Sequence, residues 1–118
     1  MKIELHPIGV VKDNLHNYQR IEIHEDFLEA LKGIENFKYF WIVFWLHKVS
    51  REDRKTLQVH PMGNFSVPKR GVFTTRSQRR PNPIGLTRVE FLKKEGNIIF
   101  VRGLDALEGS PILDIKIA

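Results

Sequence analysis

The sequence predicts a mainly β protein: a small antiparallel β-barrel with one short helix. Three observations carry this. Short apolar runs rich in Val, Ile, Phe and Trp recur along the chain, clusters of Gly, Pro and Asn separate them, and a single segment has the apolar spacing of a helix. A chain of 118 residues is one domain's worth of sequence, long enough to bury a core without a metal or disulfide.

The elements follow in order. Ile3–Val11 reads as a strand, and Pro7 within it implies an edge position or a strand start. Asp13–Arg20 is polar and reads as loop. Glu25–Ile34 is the helix: Phe27, Leu31 and Ile34 share one face, and Glu25 and Asp26 place acids in the first turn. Tyr39–Leu46 is eight apolar residues in a row, too short for a typical helix, and predicts a central strand buried on both faces. At least one of Trp41 and Trp45 is expected in the core. His47–Lys55 then turns abruptly polar, as at the mouth of a site. Gln58–Lys69 contains Pro61, Gly63 and Pro68 and reads as loop, and Gly71–Thr75 as a short strand. Each proline in Arg80-Pro81-Asn82-Pro83 forces an extended predecessor. Leu86–Lys93 and Ile98–Leu104 are strands joined by a hairpin turn at Lys94-Glu95-Gly96-Asn97, with Gly or Asn taking positive φ. Glu108–Pro111 is a turn before a last strand, Ile112–Ile117. Pro7-Ile8-Gly9 and Pro83-Ile84-Gly85 echo each other but are too brief to form a repeat.

Composition removes several chemistries. There is no cysteine, so disulfides, thiolate zinc sites, iron–sulfur clusters and cysteine nucleophiles are excluded. The five histidines show no close pairing of the kind a local metal site needs, so no metal is expected. No Walker loop, dinucleotide fingerprint or nucleophile elbow is present. Neither a signal-type N-terminus nor an apolar run of membrane-spanning length is found, which predicts a soluble, cytoplasmic protein without a membrane partner.

The net charge of +5 has an address. Lys69, Arg70, Arg76, Arg79, Arg80 and Arg88 fall in one stretch that holds no Asp or Glu, and the rest of the chain nets −1. Five of the six are arginine, whose planar fork suits phosphate and stacks on bases. The bland reading is a solvated basic loop; the sharper one is a phosphate-facing surface. The string Gly71–Leu86 favours the second. Its two prolines and two glycines set a defined non-helical path, and its Arg and Asn side chains make a preorganised reader of anions or bases.

That string resembles the signature of the TsaA-like family, also known as YaeB or TrmO. The resemblance rests on Thr75-Arg76-Ser77 and on Arg80-Pro81-Asn82-Pro83-Ile84-Gly85-Leu86. In the same order come Ile8-Gly9-Val10, Leu31–Glu35, Trp45-Leu46-His47, Gly71-Val72-Phe73, Gly103-Leu104-Asp105 and Glu108–Lys116. It implies a methyltransferase that uses S-adenosylmethionine to methylate N6 of N6-threonylcarbamoyladenosine at position 37 of tRNA, beside the anticodon. It also implies a small β-barrel and a homodimer with the cofactor near the interface. An alternative of the same fold is a module that binds S-adenosylmethionine or RNA without catalysis. Carried over residue by residue, the implied cofactor positions are His47, Lys48, Arg76, Leu86, Glu108, Gly109, Ser110 and Pro111. The expected tRNA contacts are Lys69, Arg70, Arg79, Arg80 and Asn82. Asp105 and Asp114 are the acids at motif positions; each serves equally as a turn acid, and no catalytic base is assigned. The segment Lys12–Ile23 is shorter than the family's N-terminal loop, and Gln19-Arg20 is its nearest counterpart to a cofactor contact there. Glu108 and Ser110 replace the usual Asp and Thr of the closing string.

Overall fold

The computed structural model describes residues 1–118, which divide into two compact units. One comprises Met1–Trp45 and Gly85–Ala118, and the other is the intervening Leu46–Ile84.

The first unit is a closed barrel. Its strands are β1 (Gly9–Asn14), β2 (Gln19–Ile23), β3 (Tyr39–Trp45), β6 (Ile84–Glu95), β7 (Ile98–Arg102) and β8 (Pro111–Ile117), ordered β1-β2-β7-β6-β3-β8 around the ring. The β1–β2, β2–β7, β7–β6, β1–β8 and β8–β3 seams are antiparallel. Alternation around an even ring makes the closing β3–β6 seam antiparallel too. The remaining strands, β4 (Gln58–Val59) and β5 (Arg70–Gly71), pair with each other in the second unit.

Strand period fills the barrel. Ile21 and Ile23 of β2, Phe40, Ile42 and Phe44 of β3, Val89 of β6, Ile99 and Val101 of β7 and Ile112 of β8 are all buried. Each such side chain contributes about 1.5–3 kcal/mol by leaving water. The alternation also corrects the reading of β3. Phe40, Ile42 and Phe44 face inward, but Trp41 is 36% exposed and Tyr39, Val43 and Trp45 are half-buried. The strand is buried on one face, and neither tryptophan belongs to the inner core. On the outer face, the Arg88 guanidinium lies 4.1 Å from the Tyr39 ring centroid, a cation–π contact.

Other boundaries shift for identifiable reasons. The first strand begins at Gly9 and runs on to Asn14. Pro7 has no N–H to give a ladder, and regular pairing starts only after Ile8, whose N–H donates to the Ile112 carbonyl at 2.8 Å. Residues read as loop up to Arg20 instead open β2, whose Gln19, Ile21 and Ile23 are buried in strict alternation. The helical segment forms, but as a 3-10 helix, Glu25–Leu31, with a second 3-10 turn at Ile34–Asn36. Gly33 lies between them in the left-handed region (φ 82°), which breaks the run before an α-helix can propagate. Leu31 and Ile34 are buried as expected. The hairpin turn is where the sequence puts it, with Gly96 at φ 61°.

Two polar arrangements secure the β1–β2 hairpin. Gln19, 5% exposed, donates to Asn14 Oδ1 and the Leu15 carbonyl, both at 3.2 Å, and accepts from the Leu104 N–H at 2.9 Å. Asn14 in turn donates to the Ala106 carbonyl at 2.7 Å, so the segment after β7 is tied to the hairpin. Across the register, Asp13 faces Arg20 at a bulge in β1, and the Arg20 Nε donates to its carboxylate at 3.0 Å. The Arg20 hydrogen bonds hold the Asp13 carboxyl below its usual value of 3.8.

Candidate functional site

The second unit, 46–84, carries the family string and little regular structure. Val72 and Pro83 are its buried residues. Its ends meet at one hydrogen bond, Leu46 N–H to the Pro83 carbonyl at 2.7 Å. The β4–β5 ladder sets Gln58 against Gly71 and Val59 against Arg70, and Val72 N–H extends it to the Leu57 carbonyl at 2.9 Å.

The strand expected over Gly71–Thr75 ends at its first residue. Val72–Thr74 turns into a 3-10 helix. The hydroxyls drive the turn: Thr74 Oγ1 donates to the Gly71 carbonyl at 2.8 Å and Thr75 Oγ1 to the Val72 carbonyl at 2.9 Å. The pattern then repeats downstream. Thr75 Oγ1 accepts from Ser77 N–H, and Ser77 Oγ accepts from Arg79 N–H, both at 3.1 Å. Arg80 closes the knot from inside. Its guanidinium donates to the Ser77 carbonyl at 2.6 Å, the Val72 carbonyl at 3.3 Å and the Thr75 carbonyl at 3.5 Å. Arg54 Nε caps the Pro81 carbonyl at 2.8 Å. The odd composition of the string therefore builds a rigid platform from its own hydroxyls and arginines.

That platform walls an open cleft of about 1340 Å³, formed within residues 48–79. Lys48, Lys69, Arg70, Arg76 and Arg79 line it against one carboxylate, Asp53, which pairs with Arg79 at 3.5 Å. Of the six cations in the charged stretch, four reach this cleft. Arg88 lies instead on the barrel over Tyr39, and Arg80 is engaged with backbone carbonyls. Asn82 is exposed and His47 half-buried, and neither lines the cleft.

The sequence-predicted cofactor positions fall in both units. His47, Lys48 and Arg76 belong to 46–84, and Leu86 and Glu108–Pro111 to the barrel unit. Lys48 and Arg76 both line the cleft. In the barrel, Glu108–Pro111 is the expected turn. Gly109 takes φ 86° and donates to the Val11 carbonyl at 2.8 Å. The Ser110 hydroxyl is buried and donates to the Leu107 carbonyl at 2.6 Å, so what the turn presents outward is Glu108. Leu86 is 44% exposed on β6. Asp105 is exposed, whereas the Asp114 carboxylate accepts from Ile115 N–H at 2.9 Å and pairs with Lys116 at 3.0 Å. Gln19 and Arg20 have structural partners in the β1–β2 hairpin, described above.

The cleft also contains residues to which the sequence reading gave no binding role, Met62 and Phe65 in a loop and Phe73 in a short strand. Phe65 and Phe73 are 82% and 79% exposed, and Met62 is fully exposed. The signal was present: large apolar side chains in a Gly/Pro-rich segment beside a run of cations have no core to serve.

Comparison with known proteins places this geometry. The family model for the tRNA-methyltransferase O N-terminal domain matches residues 11–117. A probable S-adenosyl-L-methionine-binding protein of Methanocaldococcus jannaschii is 46% identical over 96% of this chain and 90% of its own length. A mouse tRNA (adenine(37)-N6)-methyltransferase is 42% identical over 74% of this chain but only 20% of its own length. Among solved structures, a TrmO crystal structure superposes with a TM-score of 0.77 at 28% identity, covering all of this chain and 58% of that one. The chain thus spans little more than half the length of that structure.

Proposed function

This chain belongs to the tRNA-methyltransferase O N-terminal domain family, and from that premise we propose that it binds S-adenosylmethionine and methylates N6 of adenosine 37 in tRNA. The observation that carries the reading is the cleft: a rigid wall built by the Thr75–Arg80 knot, bearing cations without a matching set of acids. Such a surface attracts a polyphosphate backbone and gives binding a steep salt dependence.

The residues present fit the donor molecule. Arg76 and Lys48 are exposed on the cleft wall and supply the cationic partners a carboxylate requires. The family resemblance assigns Glu108 and Leu86 to the donor as well, and both are exposed on the barrel unit. When bound, S-adenosylmethionine supplies an electrophilic methyl group on a sulfonium. The chain's own contribution is to hold the acceptor base in line and to exclude water, for which a preorganised wall is better suited than a mobile loop. Asp105 and Asp114 take no assigned proton-transfer role. Asp114 is already committed to Lys116 and the Ile115 amide.

The finer reading is that the acceptor is N6-threonylcarbamoyladenosine, whose carboxylate would pair with an arginine of the cleft, and that the protein works as a homodimer with the cofactor near the interface. The family resemblance and the arginines support it. The test is incubation with labelled S-adenosylmethionine and either threonylcarbamoylated or unmodified tRNA, followed by nucleoside analysis. Label in the N6-methylated threonylcarbamoyl nucleoside is expected. Binding of the donor without label transfer to either tRNA would instead favour a non-catalytic S-adenosylmethionine-binding module; archaeal relatives are named only as probable S-adenosyl-L-methionine-binding proteins. Sedimentation decides the oligomeric state.

A further inference from the structure

Exposed large apolar groups are costly, and here they gather. Phe65 is 82% exposed, Phe73 79% and Met62 fully so, and all three line the same cleft of unit 46–84. They are not loosely held. The His60 and Phe65 rings are 4.7 Å apart, and His60 Nδ1 is hydrogen-bonded to the Val67 carbonyl at 2.9 Å. Met62 and Gly63 hold consecutive left-handed conformations (φ 52° and 69°), and Asn64 Oδ1 accepts from both the N–H and the hydroxyl of Ser66. The loop is therefore braced in the shape that exposes the rings. Phe73 sits on the 3-10 turn fixed by Thr74 and Thr75.

Preorganised apolar faces beside cations suit one class of ligand. A folded protein partner would bury such rings under a matching apolar surface but would have to present acids to a cleft wall that carries a single carboxylate, Asp53. An RNA duplex offers phosphates but keeps its bases stacked inside. An unpaired RNA loop offers both, phosphates for Lys69 and Arg70 and open base faces for the rings. We infer that Phe65, braced by His60, and Phe73 form a stacking platform for unpaired nucleobases, so that the cleft selects a single-stranded loop rather than charge alone. The inference rests on the tRNA reading and extends it by naming the residues that recognise loop structure. Stacking is tolerant of base identity, because every base has a π-face. The platform therefore reads that bases are unpaired, not which bases they are.

The test compares Phe65→Leu, Phe73→Leu and the double variant with the wild type, using three probes: a 17-nucleotide anticodon stem-loop, a blunt duplex RNA of equal charge, and S-adenosylmethionine. Leucine keeps the apolar volume and removes the π-face. Each single variant is expected to bind the stem-loop about tenfold more weakly, the worth of one stacked base, with duplex and S-adenosylmethionine affinities within twofold of wild type. Phe73→Trp is expected to retain stem-loop affinity. Because both rings are exposed, thermal midpoints should be unchanged. Equal losses on stem-loop and duplex would overturn the platform, as would unchanged stem-loop binding. A loss confined to S-adenosylmethionine would overturn it too, by assigning the rings to the donor's adenine. Binding is read without turnover, so absence of methyl transfer would count against the proposed activity and leave the platform to be judged by the stem-loop.

Discussion

Arg79 and Arg80 are neighbours in sequence and opposites in employment. Arg79 is 61% exposed at its side chain and meets Asp53 at 3.5 Å, a pair of the exposed kind that contributes little to stability. Arg79→Ala should leave the thermal midpoint unchanged, weaken tRNA binding and reduce the slope of log affinity against log salt by about 1, read from titrations at several salt concentrations. Arg80 donates to three backbone carbonyls. Arg80→Ala should destabilise the Val72–Ser77 turn, with hydrogen bonds to a charged group worth about 1.5–3 kcal/mol, and should weaken donor and tRNA binding together. Arg80→Lys should not restore it, because one ammonium cannot span the fork. Parallel calorimetry of both ligands checks this. Sequence alone put both arginines on phosphate. It had no means of separating them, because the groups that claim Arg80 are carbonyls, and every residue has one.

At the scale of elements, the two Pro-Ile-Gly strings acquire a shared reason. Each leads into a barrel strand: Gly9 opens β1, and Gly85 is the second residue of β6. A Cβ on Gly9 would collide with the Glu22 carbonyl oxygen, and one on Gly85 with the Phe44 ring. Gly85→Ala is expected to cost about 1–3 kcal/mol as an overpacked core does, seen as a lowered thermal midpoint. Gly9→Ala should be worse, because backbone yields less than a ring. The Asp13–Arg20 pair makes a second prediction. The Asp13 carboxyl is held below 3.8, so the stability it brings is present above that pH and is lost as pH falls through the lowered value. Asp13→Asn should therefore be less stable than wild type at neutral pH, and the two should converge in strong acid, as denaturant midpoints across pH would report. The elements were legible where a pattern was long. Tyr39–Leu46 and the Gly96 hairpin are where the sequence puts them. β2 was hidden because its alternation is only five residues long and begins with the polar pair Gln19-Arg20. The helix was legible from Phe27, Leu31 and Ile34 on one face; its 3-10 form and its break at Gly33 were not, because apolar spacing does not report the left-handed backbone that Gly33 adopts.

For the molecule as a whole, order is unevenly invested. The barrel unit holds nearly all the buried apolar residues, whereas within 46–84 only Val72 and Pro83 are buried. Hydrogen exchange should accordingly find slow amides in β2, β3 and β7 and much faster ones across 46–84, since segments with little buried surface open at low cost. Uniform protection along the chain would contradict this. With so little buried, the shape of unit 46–84 depends on side-chain hydrogen bonds and not on a core.

The hydrogen bond between Leu46 and Pro83 has a consequence for engineering. The 36 residues between them, 47–82, form an excursion that leaves and returns at adjoining points, in effect a cassette. Exchanging its interior changes the closure entropy only slowly with length, and β3 and β6 on either side are neighbours in the barrel ring. The barrel can therefore serve as a chassis. Recognition of a different polyanion could be grafted by replacing residues 48–81 while keeping the Leu46–Pro83 clasp.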